Sequence, residues 1–119
     1  MPITGCHMLL YSSQADALRN MLRDVFSFPS VDAGGGWLIF GLPPAEIGVH
    51  PGEQPKHELT FMCDDIDATI SELRSKGVRI EGEPQNQGWG TTVIMTLPGD
   101  VHVMLYQPHH PVAINGSPQ

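Results

Sequence analysis

The chain has 119 residues, 40% of them apolar, with six Lys and Arg against thirteen Asp and Glu and a net charge of −7. That describes one folded domain large enough to bury a core. It argues against nucleic acid or a polyanionic membrane surface as partner, because phosphate neutralisation needs a basic patch.

The first element in chain order is 3–11, ITGCHMLLY, which reads as a strand apolar on both faces. Residues 14–25 follow as a helix, with Ala15, Leu18, Leu22 and Val25 at helical spacing and Ser12 or Ser13 as cap. Phe28-Pro29 ends it. Residues 30–33 form a short strand, Gly34-Gly35-Gly36 a turn, and 37–42 (WLIFGL) a further strand. After Pro43-Pro44, 45–50 (AEIGVH) reads as a strand and 51–55 as a loop.

The order then begins again. Residues 56–63 (KHELTFMC) read as a strand. Asp64-Asp65 leads into a helix over 67–77, with Ile66, Ile70 and Leu73 on one face and Gly77 closing it. Residues 78–82 form a short strand and 83–88 a polar loop. Residues 89–97 and 101–108 form two strands around a Pro98-Gly99-Asp100 turn, and a loose tail follows. Thirteen Gly and eleven Pro fit so many short elements.

The expectation is therefore α+β, with two βαβββ modules: module one at about 1–52, module two at about 53–110, and a tail over 111–119. The residues repeat as well as the elements. His7-Met8-Leu9-Leu10-Tyr11 matches His57-Glu58-Leu59-Thr60-Phe61. Asp16-Ala17 matches Asp67-Ala68, and Leu22-Arg23 matches Leu73-Arg74. No run reaches the ~20 apolar residues of a membrane span, and the start lacks the basic and apolar regions of a signal peptide. Cys6 and Cys63 show no CxxC spacing and read as reduced, buried thiols. The expected location is the cytoplasm.

The repeat makes His7 and His57 equivalent. On strands related by a pseudo-twofold they can face each other across a groove, and imidazole nitrogens ligate Fe, Mn, Ni, Zn and Co ions. A lone strand histidine is more often a core or rim residue, so the equivalence carries the argument. Other motifs are missing: GxSxG, a phosphate-cradling loop and a dinucleotide fingerprint are all absent. Trp37, Phe61, Trp89 and Tyr106 can line an apolar cavity, although Phe61 also suits plain core packing. Gly88 and Gly90 flank Trp89 and put it at a mobile rim. His50 reads as a solvated strand end, His109-His110 as surface residues, and Asp64-Asp65 as the cap of the second helix.

Three segments carry a resemblance to a known family: His57 through Ala68, Gly90 through Ile94, and Leu97-Pro98-Gly99-Asp100 onward to Pro108. They resemble the glyoxalase / bleomycin-resistance / extradiol-dioxygenase, or vicinal-oxygen-chelate, superfamily. The resemblance implies paired βαβββ units forming a curved mixed sheet around a cavity, and frequent homodimers. It implies a divalent metal held by His7 and His57, with Glu46 as the nearest candidate for a third ligand. Family members that bind metal carry a glutamate on the last strand, where this chain has Met104. Methionine is a poor ligand for hard divalent ions. His102 lies two residues earlier on the same strand face and reaches that corner only if the strand shifts by ~6–7 Å.

Two functions stand open on this basis. One is a metal-dependent lyase, isomerase or dioxygenase acting on a small oxygenated substrate. The other is a metal-free protein of the bleomycin-resistance type that sequesters a small aromatic or cationic molecule. In that second case Met104, His102 and the aromatics Trp37, Phe61, Trp89 and Tyr106 are the cavity wall.

Overall fold

The computed structural model describes residues 7–49, 51 and 53–113. Two helices and seven strands follow in the order α1 (Ala15–Asp24), β1 (Ser30–Asp32), β2 (Leu38–Phe40), β3 (Thr60–Met62), α2 (Ile66–Ser75), β4 (Arg79–Ile80), β5 (Gln85–Asn86), β6 (Gly90–Leu97) and β7 (Val101–Pro108). The architecture is α+β with a mixed sheet.

The main sheet is built from the second half of the chain, where the 83–88 segment, read as a loop, carries β5 because it pairs with β6. Its strands run β3-β7-β6-β4, with β5 pairing on β6. β3 lies parallel to β7, and β6 lies antiparallel to β7 along its whole length, from Gly90↔Pro108 to Leu97↔Val101. Strand alternation sends Val93, Met95 and Leu97 of β6 and Val103 and Leu105 of β7 to one face, where all five are buried. Leu18 of α1 and Ile66, Ile70 and Leu73 of α2 close over that face and complete the core.

Local sequence explains α2 well. The Asp65 side chain accepts from the Ala68 backbone N–H at 3.1 Å and caps the first turn. Gly77, at φ +90°, closes the last turn with its N–H on the Arg74 carbonyl. The expected cap of α1 takes a different form. Gln14 occupies the cap position without a side-chain bond, while the Ser12 hydroxyl accepts from the Gln14 N–H and donates to the Pro98 carbonyl. Ser12 therefore ties the start of α1 to the β6–β7 turn.

Module one departs from the expectation at both ends. Among the described residues of this half, β1 and β2 form a two-stranded antiparallel sheet. Residues 7–11 and 45–49, read as strands, have no ladder partner among the described residues. Their composition suits strands, but a strand requires a neighbour for its backbone groups. Several of their apolar side chains lie exposed: Tyr11 at 86%, Ile47 at 94% and Val49 at 95%. Cys6 and His50 lie outside the described residues. No helix among the described residues is long and apolar enough to cross a membrane.

Candidate functional site

The second face of the main sheet carries the side chains that the core does not use. Register pairs Thr92 with Tyr106, Ile94 with Met104 and Thr96 with His102, and β3 adds Thr60 beside Met104 and Met62 beside Tyr106. All of these side chains share one face, because directly opposed residues in a sheet point the same way. No helix covers it. Ile94 is 44% exposed there, while its neighbours Val93 and Met95 on the other face are buried.

At the His102 end, a cleft of about 340 Å³ opens between β3, β7 and the segment around Leu10. His57, Thr60, Ile94, His102 and Met104 contribute to its lining. Its volume lies within the ~300–1,000 Å³ of small-molecule sites. His102 Nδ1 sits 3.2 Å from the Thr96 hydroxyl, and Glu58 at the rim pairs with Lys56 at 2.9 Å.

About 13 Å further along β7, by strand rise, the same face ends in an aromatic corner. The Trp89 and Tyr106 rings meet edge to face at 5.7 Å and 71°, and the His110 ring lies 6.2 Å from Tyr106. The backbone sets this corner. Asn86 Oδ1 accepts from Gly88 N–H, Gln87 N–H bonds the Gly90 carbonyl, and His109 N–H bonds the Trp89 carbonyl at 2.9 Å. His109 Nε2 adds a contact to the Thr91 hydroxyl at 3.1 Å. Trp89 thus stands at a rim, as its flanking glycines suggested, but the rim is tied at several points. Gly90 is there for space. A Cβ on it would sit 3.0 Å from the Gln107 carbonyl oxygen and 3.1 Å from the Tyr106 ring.

Glu46 reaches this end and not the cleft. Its Oε2 accepts from Ala113 N–H at 2.7 Å, across 67 positions of sequence. Burial foremost, and then the Glu46 charge, holds the Tyr106 phenol above its ordinary titration range.

The other sequence candidates sort by position. His57, His102 and Met104 come together in the cleft. His7 is exposed and takes no part in lining it. Phe61, assigned to the cavity wall, lies on the helix side and packs against Phe26 and Phe28 at 5.6 and 5.7 Å. Alternation from Leu59, also packed on the core, requires this. Trp37, likewise assigned to the cavity, belongs to neither the cleft nor the corner: it sits one residue before β2, and its ring carries the Arg19 guanidinium at 5.1 Å. Nothing in the sequence pattern points to the Glu46–Ala113 contact, or to Gly90 as a residue that makes room for the Tyr106 ring. A glycine opening a strand beside a tryptophan was the one available hint.

The residues present do not fit a three-ligand site for a hard divalent ion. The cleft offers two imidazoles, a thioether and a hydroxyl, and its one carboxylate, Glu58, is engaged by Lys56. Glu46 is engaged elsewhere. Among the described residues, no three His, Cys, Asp or Glu side chains are grouped to hold a metal.

The model of the Glyoxalase/Bleomycin resistance protein/Dioxygenase superfamily matches residues 7–105. Among solved structures, the chain is similar to TnmS3, an antibiotic binding protein from a Streptomyces species, at 22% identity and a TM-score of 0.65 over 91% of this chain and 98% of that one. It is also similar to the lactoylglutathione lyase of Agrobacterium tumefaciens, at 17% identity and 0.63 over 90% and 96%. A third likeness is to the fosfomycin resistance protein FosX of Listeria monocytogenes, at 14% identity and 0.64 over 97% of each. Among curated sequences, 41 residues are 42% identical to the uncharacterized protein YetH of Bacillus subtilis. That match spans about a third of each chain, 34% of both.

Proposed function

The chain belongs to the glyoxalase/bleomycin resistance protein/dioxygenase superfamily, and we propose that within it this protein is a metal-free binding protein for a small aromatic molecule. The observation that carries the reading is Met104. It stands in the cleft opposite Ile94 and Thr60, where a metal-using site would need a carboxylate. A thioether there is a polarizable apolar wall that adapts to a ligand's shape. The metal-dependent alternative needs His7, His57 and Glu46 on one ion, and these side chains are not grouped. The likeness to an antibiotic binding protein supports the architecture, at an identity that speaks for the fold alone.

We also propose that the working form is a homodimer. Residues 7–11 and 45–49 carry exposed apolar side chains without a ladder, and β3 has a strand partner on one side only among the described residues. An unpaired edge beside unpaired strand-like segments is a template for a second copy. Light scattering should give twice the 13.0 kDa chain mass.

The functional test combines metal analysis with ligand titration. Untagged protein should carry no stoichiometric Fe, Mn, Ni, Zn or Co and should take up none on reconstitution. Tryptophan fluorescence should respond to neutral planar aromatics, and Ile94→Asp, which places a charge on the cleft wall, should weaken binding by about tenfold or more. Stoichiometric metal lost on His57→Ala, or silence across the aromatic panel, overturns the proposal.

A further inference from the structure

We propose that the corner formed by Trp89 and Tyr106, at the end of the sheet where Glu46 is tied to Ala113, is a subsite for an organic ammonium cation. The inference rests on reading the open sheet face as a ligand surface, and it names the chemical class held at one end of that surface.

Three features converge on it. The first is ring geometry. Trp89 and Tyr106 meet at 71°, so their walls form a corner rather than a flat stack, and Trp89 remains 49% exposed. Ring faces attract cations through their quadrupoles, most strongly for tryptophan. The second is charge. One oxygen of Glu46 is oriented by Ala113 N–H. Among the described residues no Lys or Arg pairs with it. A half-buried carboxylate without a counter-cation, at the same end of the sheet as an aromatic corner, has the composition of a cation cage. Burial foremost, and then the Glu46 charge, raises the Tyr106 phenol. The third is preorganisation. Glu46, Trp89 and Tyr106 come from distant parts of the chain, and the backbone bonds of Gly88, Gln87, His109 and Ala113 hold them in place without a ligand.

The chain's two tryptophans make an internal contrast. Trp37 already has a cation over its ring, the Arg19 guanidinium at 5.1 Å. Trp89 has no such cation among the described residues, and its ring is turned toward Tyr106. The net charge of −7 adds long-range attraction for cations.

Choline and its neutral isostere 3,3-dimethylbutan-1-ol are the probes, because they differ in the charged atom and little else. Titrations follow Trp89 fluorescence in a Trp37→Phe background at constant ionic strength, with circular dichroism as the check on folding. Choline is expected to bind about tenfold or more tighter than the isostere. Read by isothermal titration calorimetry, since this variant keeps no tryptophan, that preference should vanish in Trp89→Leu. It should fall about tenfold in Glu46→Gln, which keeps an acceptor for Ala113 N–H. Equal affinity for the two probes, or an unchanged preference in Glu46→Gln, overturns the inference. If neither probe binds while neutral aromatics still do, the cation subsite fails and the binding function stands. If the aromatics fail as well, both fall.

Discussion

Gly90→Ala is a one-carbon test of how the aromatic corner is held. The added methyl would meet the Gln107 carbonyl oxygen at 3.0 Å and the Tyr106 ring at 3.1 Å. Neither neighbour gives easily. The Gln107 backbone is fixed by pairing with Thr91, and the Tyr106 ring is backed by Trp89. Overpacking of this kind costs about 1–3 kcal/mol. Alanine returns about 0.4–1 kcal/mol by restricting the unfolded chain, because no positive φ is needed at this position. The net loss is then up to about 2.6 kcal/mol, a fall in Tm of up to roughly 10 °C for a domain of this size. The displaced ring should also shift Trp89 emission, and it should weaken choline binding more than binding in the cleft. Thermal unfolding by circular dichroism, with fluorescence on the same samples, reads all of these effects. A variant as stable as the parent, with unchanged Trp89 emission, would show that the strand pair spreads freely and that Gly90 does not set the corner.

Two further outcomes follow from groups already placed. Asp65→Ala removes the bond to Ala68 N–H and should cost about 1 kcal/mol, while Asp65→Asn should recover most of it; equal stability of all three proteins in urea titrations would rule out the cap. Burial foremost raises the Cys63 thiol above its ordinary range, and its Sγ donates toward the Tyr106 carbonyl. With the folded value above the unfolded one, this group's contribution is intact below pH ~8.5 and is lost as pH rises through the folded value. In a Cys6→Ser background, iodoacetamide should therefore label native Cys63 far more slowly at pH 8.5 than the urea-unfolded chain; equal rates would contradict that.

Module two was legible in the sequence because its signals are local. Asp65 and Gly77 bracket a helix whose Ile66, Ile70 and Leu73 lie at helical spacing, and all three are buried. β6 and β7 alternate around a Pro98-Gly99-Asp100 turn, so Val93, Met95, Val103 and Leu105 identify their own face. Module one was less legible because a strand is a property of a pair. Residues 7–11 and 45–49 have strand composition, but composition supplies no ladder. Alternation also fixes which residues share a face without saying which layer that face meets. Phe61, read as a possible cavity wall, turns toward Phe26 and Phe28 in the helix layer, while His57, before the start of β3, lines the cleft. The Glu46–Ala113 contact joins positions 67 apart, and no periodicity reports such a distance.

Position 104 decides what this fold asks of its surroundings. It is half-buried between Ile94 and Thr60 on a face with little charge. An ionised carboxylate there would lose solvation, and it would stay charged only with a cation to compensate, or else shift its pKa and neutralise. A bound metal is that compensation in a chelating member of such a fold. Methionine removes the demand along with the ligand, and the cleft becomes stable with nothing in it. Glu46 is half-buried at the other end of this side, where Ala113 N–H holds one of its oxygens. Met104→Glu separates the two cases. If the fold compensates with metal, the variant should gain divalent-ion affinity through His57 and His102. If the cleft is built for neutral ligands, the variant should only lose stability, and added Zn²⁺ should not restore its Tm.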